Sequence, residues 1–346
     1  MSEARAGDVR ERPPRGGGIM NAHHEAEGAR IIPLATARER DGEPSGAGGR
    51  DAHPAGRGPG AAPAGTGSAG SIERRIAAGL AFLSRRLTGD YEVDEFGFDP
   101  EFNGTVLLPA ARALYERWFR VELSGVGNVP SEGGALIVAN HSGTLPLDGL
   151  MLSVALHDHA GRHVRLLGAD LIYQVPVLGH LSRKAGHTLA CRADAARLLG
   201  KGELVGVFPE GYKGVGKPFA DRYRLQRFGR GGFVGTALRT GAPIVPCAIV
   251  GAEETYPKIA DLPPLARLLG LPYFPVTPTF PLLGPAGLVP LPSKWLIAFG
   301  EPMYLEDYEA DDADDPMTVF EITDVVRENI QQMLHETRLR RGPAFF

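Results

Sequence analysis

Between residues 135 and 303 the sequence alternates between two kinds of stretch. Short apolar runs are separated by stretches whose apolar positions recur at helical spacing. The runs are "ALIVAN" from Ala135, "VRLLGA" from Val164, "HTLACR" from His187, "LVGVFPEG" from Leu204, "APIVPCAIVG" from Ala242 and "KWLIAFGEPM" from Lys294. Between them "LDGLMLSVALH", "PVLGHLSRKAG", "ADAARLLGKG" and "GFVGTALRTG" read as helices, the last three closed by a glycine. Strand and helix in turn predict an α/β domain, a largely parallel central sheet flanked by helices. In such sheets the chemistry gathers at the carboxyl ends of the strands. Three runs end there on a polar residue: His141, Arg192 and Glu210.

The rest of the chain supports one such domain. Residues 1–70 hold no Phe, Trp or Tyr but 15 of the 46 glycines and seven of the 29 prolines. They have too little to bury to offset their ordering entropy, so 1–70 reads as a disordered tail. Residues 71–123 read as N-terminal amphipathic helices. One covers 72–88, with Ile72, Ile76, Leu80 and Leu83 on one side and arginine pairs on the other. It suits packing on the domain or lying on an anionic membrane surface. A second covers 105–123, with Trp118 and Phe119 on its apolar side. Residues 124–346 form the domain proper and end in an amphipathic helix over 317–341. Prolines break the apolar segment 261–294, which can cover the core or form an exposed lip.

Charge is uneven. The chain carries −4 overall, yet 183–239 has 12 Lys/Arg against four Asp/Glu, and 301–315 has eight acids and no base. A basic segment in an acidic chain suits an anionic ligand or a solvated, balanced surface. Aromatic interleaving is sparse and no nucleic-acid-binding motif is present, so nucleic acid is not an expected partner. Cys191 and Cys247 are too few for a disulfide framework or a zinc site and fit a reducing cytoplasm. The N-terminus has no apolar signal core, and no run reaches 18 apolar residues, so neither a secretory signal nor a membrane span is expected.

Chemistry concentrates in three places. In "ANHSGTLPLDG" a histidine, His141, precedes a carboxylate, Asp148, by seven residues. A carboxylate that orients an imidazole makes a general base, and an imidazole ordinarily titrates near 6.5. A helix-capping Asp beside an unrelated histidine is the plainer reading of that pair. No G-x-S-x-G elbow is present, so the proton would come from a substrate hydroxyl, which suggests acyl or phosphoryl transfer to an alcohol. In "VFPEGYKG" Glu210 stands in a turn where Gly211 permits close backbone approach; it can hold a substrate hydroxyl or simply face solvent. In "RYRLQRFGRGGFVG" Arg222, Arg224, Arg227 and Arg230 lead into a glycine-rich helix start that suits phosphate.

Taken together, in order over about residues 105–300, these stretches resemble the glycerolipid acyltransferase superfamily, typified by lysophosphatidic acid acyltransferases. "ANHSGTLPLDG" is similar to its His-x4-Asp block. Gly186 and Arg192 in "PVLGHLSRKAGHTLACR" are similar to its second block, "VFPEGYKG" to its Phe-Pro-Glu-Gly block, and Pro246 in "APIVPCAIVG" to its fourth. The resemblance implies a single acyltransferase domain. His141 would be the base that deprotonates an acceptor hydroxyl, with Asp148 orienting it. Arg192 would bind an acceptor phosphate. Phe208, Pro209, Glu210 and Gly211, with Arg227 and Arg230, would complete the substrate site. The donor would be acyl-CoA or an acylated carrier protein, as co-substrate, with no metal and no other cofactor. The acceptor would be a lipid hydroxyl, 1-acylglycerol-3-phosphate or another lysophospholipid. A neutral lipid alcohol, or a non-catalytic lipid-binding module on the same fold, is the alternative. The implied partner is a membrane surface, and the implied place is the cytoplasm, peripheral on the inner face of the membrane. The chain departs from the family pattern in the His141–Asp148 spacing, seven rather than five, so the intervening loop must bulge. It also has Tyr212 after the Glu-Gly pair, where Ser or Thr is usual.

Overall fold

A computed structural model describes residues 69–345. The expected tail over 1–70 therefore lies outside the described residues, apart from Ala69 and Gly70, which begin the first helix.

The chain opens with α1, Ala69–Thr88, and a helical run of α and π turns over 100–118, here α2. The expected helix over 105–123 is corrected at both ends. It starts earlier, at Pro100, where Asp99 caps it through the Phe102 N–H at 2.9 Å, and it stops at Trp118. Arg120 then takes a positive φ of 46°, and Glu122–Ser124 is a strand, β1. There follow β2 (Ala135–Ala139), α3 (Leu147–Ala160), β3 (Val164–Gly168), α4 (Pro176–Lys184), β4 (Thr188–Leu189), α5 (Arg192–Gly200) and β5 (Leu204–Val207). After β5 come α6 (Gly232–Thr240), β6 (Ile244–Val250), a small ribbon of β7 (Ala260–Asp261) and β8 (Pro275–Val276), then β9 (Leu296–Phe299) and α7 (Pro316–Arg341).

Seven strands form one sheet in the order β1-β9-β6-β2-β5-β3-β4. Every neighbouring pair is parallel except β6 and β9. Strand alternation builds the two cores. Ala135, Ile137 and Ala139 of β2 face α2 and α3, where Tyr115, Met151 and Leu152 are buried. Leu136 and Val138 face α5, α6 and α7, where Leu198, Val234, Val326 and Ile330 are buried. A proline in the seven-residue central strand β6 breaks the usual rule. Pro246 sits where β9 has ended: Cys247 pairs with Phe299, and the Pro246 carbonyl accepts the Gly300 N–H at 2.8 Å. Its missing donor therefore faces the end of a neighbour, not a ladder. The expected strand "HTLACR" is reduced to Thr188–Leu189 at the sheet edge, because Cys191 already caps α5.

The order fixes where a site can be. Strands after β2 first go to one side, β3 with β5 inserted between; then the chain crosses to β6 on the other side. The carboxyl end of β2 is thus the switch point of the sheet, where open α/β folds leave a crevice.

Candidate active site

Three strand ends build the site, and a buried amide sets the first of them. Asn140, immediately after β2, is fully buried. Its side-chain N–H donates to the Ile249 carbonyl at 2.9 Å and its side-chain oxygen accepts the Ile249 N–H at 2.7 Å. The end of β2 is locked to β6, and His141 emerges at a fixed position.

The seven-residue spacing is closed by a bulge. Gly143 and Thr144 both take positive φ, 96° and 64°. A left-handed threonine is strained and needs support. Thr144 has three partners: its N–H donates to the Val215 carbonyl at 3.2 Å, its hydroxyl to the Tyr256 carbonyl at 3.0 Å, and its own carbonyl accepts the Tyr273 hydroxyl at 2.6 Å. The bulge brings His141 Nδ1 within 2.7 Å of Asp148 Oδ2. Asp148 is fully buried in the first turn of α3, where the helix end favours negative charge. Its Oδ2 also accepts the Ser142 N–H and its Oδ1 the Gly149 N–H, each at 2.9 Å. A carboxylate held by this many donors is a fixed acceptor, so the imidazole N–H lies at Nδ1 and the lone pair at Nε2. Phe208 stacks on the ring with centroids 4.4 Å apart, and 15% of the His141 side chain stays exposed. The result is an oriented base with an open edge.

Glu210 does something other than project. It is buried, with Oε1 accepting the His141 N–H at 2.9 Å and Oε2 the Gln226 N–H at 2.6 Å. Lys217 Nζ lies 3.4 Å from Oε2. Each oxygen accepts a backbone N–H and the side chain is buried, which corrects the reading of a glutamate that faces solvent. Gly211 supplies the turn with φ 55°. Close packing needs a second glycine: a Cβ on Gly214 would stand 2.6 Å from the His141 carbonyl oxygen.

The arginines lie around the same strand ends. Arg192 opens α5 and is exposed; a Cβ on Gly232, at the start of α6, would be 3.4 Å from its Nε. In the segment 222–230 Tyr223, Leu225 and Phe228 are buried, while Arg224, Arg227 and Arg230 are exposed. The Gly229 N–H donates to the Pro209 carbonyl at 3.2 Å, so Arg227 and Arg230 flank the Pro209–Gly211 turn. Among the described residues, ion pairs engage Arg197 and Arg239 but none engages Arg192, Arg227 or Arg230. Sequence reasoning overlooked Asn140, Lys217 and Glu253. Asn140 had a signal, a polar residue directly after a fully apolar run. The two others meet only through the fold.

Comparison with known proteins adds to this geometry. A family model described as Acyltransferase matches residues 120–250. An uncharacterized protein of Mycobacterium leprae is 64% identical over 277 residues, covering 80% of this chain and 76% of that one. A protein of Bos taurus described as a DGAT1/2-independent enzyme synthesizing storage lipids is 24% identical over 139 residues, 40% of this chain and 41% of its own. The crystal structure of the 1-acyl-sn-glycerophosphate acyltransferase PlsC from Thermotoga maritima aligns with a TM-score of 0.45 and 19% identity, over 75% of this chain and 89% of that one.

Proposed function

We propose, from the premise that this chain belongs to the glycerolipid acyltransferase superfamily, that it moves a fatty acyl group from a thioester donor to the hydroxyl of a phosphate-bearing lipid. The observation that carries this reading is the 2.7 Å contact between His141 and the buried Asp148, with Nε2 left at the open edge. Nε2 takes the proton of the acceptor hydroxyl. The oxygen attacks the thioester carbonyl, the carbon–sulfur bond breaks, and the departing thiolate recovers the proton from the imidazolium. Asp148 supports that cation and holds the ring through the exchange. Phe208 fixes the plane of the ring.

Arg192, Arg227 and Arg230 are the groups that suit the acceptor phosphate, since guanidinium forks match phosphate oxygens and none of the three is committed to a carboxylate among the described residues. The donor, whether coenzyme A thioester or acylated carrier protein, brings its own phosphate to the same basic side. A second reading, a neutral lipid alcohol as acceptor, is favoured by the storage-lipid relative.

Release of free thiol from a long-chain acyl-CoA, followed with lysophosphatidate, other lysophospholipids, diacylglycerol and a long-chain alcohol, tests both. His141→Ala should slow release about 10²–10⁴-fold, the usual worth of a positioned base. Wild-type rates in that variant would refute the mechanism. Preference for diacylglycerol over every phosphate-bearing acceptor would select the second reading.

A further inference from the structure

A buried ammonium sits behind the base, in a place the proposed mechanism does not use. Lys217 is buried, and its Nζ lies 3.1 Å from Glu253 Oε1 and 3.4 Å from Glu210 Oε2, and donates to the Arg224 carbonyl at 3.1 Å. Glu253 is also buried. Its Oε2 accepts the Tyr223 N–H at 2.5 Å, and its Oε1 has no partner beyond the Lys217 ammonium. Two buried carboxylates therefore share one cation, and one of those carboxylates holds the main chain of His141.

We propose that Lys217 is a positioning residue for His141: its ammonium keeps Glu210 ionised, so that Glu210 can accept the His141 and Gln226 N–H groups and fix the base above the strand end. This rests on the acyl-transfer reading of the site. The reason is electrostatic. A carboxylate accepts two N–H donors; a protonated carboxyl accepts them poorly and presents a donor of its own. Two carboxylates in one dry site cannot both stay charged without a cation, and the pair takes up a proton. Burial, with the Glu254 charge beside it, pushes the Glu253 carboxyl up to about 7 even with Lys217 pulling it down, so the cluster already stands close to that limit.

The surrounding charges are few. Facing Glu210 are His141 from the loop after β2, itself bonded to Asp148 of the first turn of α3, Lys217 from the turn after the short helix Tyr212–Val215, and, across Lys217, Glu253 from the turn after β6. Behind Glu253, Glu254 is paired with Arg341 of α7 at 2.9 Å and takes the Tyr223 hydroxyl. Lys258 is directed elsewhere, its Nζ donating to the Gly216 carbonyl at 2.6 Å and lying 3.5 Å from Asp261. No second cation among these reaches Glu210, so nothing replaces Lys217.

The test reads Glu210 through the Gln226 amide, which bonds its other oxygen and is remote in sequence from the imidazole. The full chain, labelled for NMR, is compared as wild type, Lys217→Met, Lys217→Arg and Glu253→Gln between pH 6 and 9, with acyl-thioester release measured on the same samples. In Lys217→Met the Gln226 amide should titrate above pH 7. Thioester release should fall at least about tenfold at pH 7 and recover as the pair loses its proton toward pH 9. Lys217→Arg should follow wild type. Should Lys217→Met fail to fold, Glu253→Gln carries the test. With its competitor gone, Lys217 belongs to Glu210 alone, and the Gln226 amide, expected in wild type to report the neighbouring Glu253 proton near pH 7, should show no such inflection. A pH-independent loss of rate in Lys217→Met, or an inflection that persists in Glu253→Gln, overturns the proposal. If wild type consumes no thioester while the amide behaves as stated, the acyl-transfer reading falls and the electrostatic wiring stands.

Discussion

His141 owes its orientation to groups scattered over the chain: Asp148 seven residues on, Phe208 after β5, and Glu210 on its main chain. The sequence pattern pointed to the first of these and named the others for a different task. Phe-Pro-Glu-Gly read as a substrate-holding turn; both oxygens of its glutamate in fact face inward, on backbone N–H groups. A local motif says that a carboxylate is present, but which donors reach it depends on segments brought in by topology. Glu253 makes this point measurable. Its folded carboxyl is pushed up to about 7 by burial, above the ordinary value near 4.5. The folded state therefore holds this proton more tightly than the unfolded chain does. Its contribution to stability is complete below about pH 4.5 and is lost as pH rises through 7. Glu253→Gln cannot lose it, so the melting temperature of the variant should gain on wild type by several degrees from pH 5.5 to pH 8. Parallel melting curves across that range would contradict this account of the burial.

At the scale of elements, alternation of apolar runs with helical stretches was enough for the sheet and most of its helices, because hydrophobic periodicity is imposed by the geometry of each element. It was not enough at ends. The helix expected over 105–123 gives way to β1 because the backbone turns at Arg120, and the strand expected at 187–192 shrinks because Cys191 caps α5. For α1 the amphipathic stripe was legible but its direction was not. The arginine side docks: Arg85 bonds Glu101, Arg86 bonds Asp99 and lies 4.3 Å from the Tyr91 ring centre, and Phe82 stacks near Phe102. Leu80, Leu83 and Leu87 point out, 63%, 56% and 88% exposed. The bulge between β2 and α3 leans on the short helix after Gly211, and the contact is tight at Gly214. Gly214→Ala would put its methyl 2.6 Å from the His141 carbonyl oxygen, and overpacking of that kind costs about 1–3 kcal/mol. The expected outcome is a folded protein whose thioester release falls more than its stability predicts, since the displaced atom belongs to the base itself. Wild-type kinetics in Gly214→Ala would show that the loop has slack.

The described residues present two apolar surfaces that nothing else among them covers. One is formed by Leu80, Leu83 and Leu87 of α1. The other is the segment 262–289, where Leu268, Leu282 and Leu283 are 79%, 84% and 56% exposed and Arg267 is the single charge. That segment adjoins the site, because Tyr273 bonds Thr144 of the bulge and Tyr256 donates to the Leu288 carbonyl at 2.6 Å. No described helix is long and apolar enough to cross a membrane. We therefore expect both surfaces to rest on lipid, which would deliver the acceptor beside the base. Co-sedimentation with anionic phospholipid vesicles tests this. Leu268→Ser with Leu282→Ser should weaken binding about a hundredfold or more, from the transfer free energy of about 1.5–3 kcal/mol for each leucine side chain. Unchanged sedimentation would remove the segment from the lipid contact.

The residue order by itself determined the layered α/β architecture and the placing of chemistry at strand ends, and it offered one histidine and one aspartate as a candidate pair. Those follow from periodicity and residue type, which act locally. Tertiary structure decided that the seven-residue spacing closes, that Glu210 turns inward, that Lys217 stands between two acids from distant segments, and that α1 shows its leucines to the outside. Each of those depends on desolvation and on contacts between segments far apart in the chain, and neither is written in any one stretch of it.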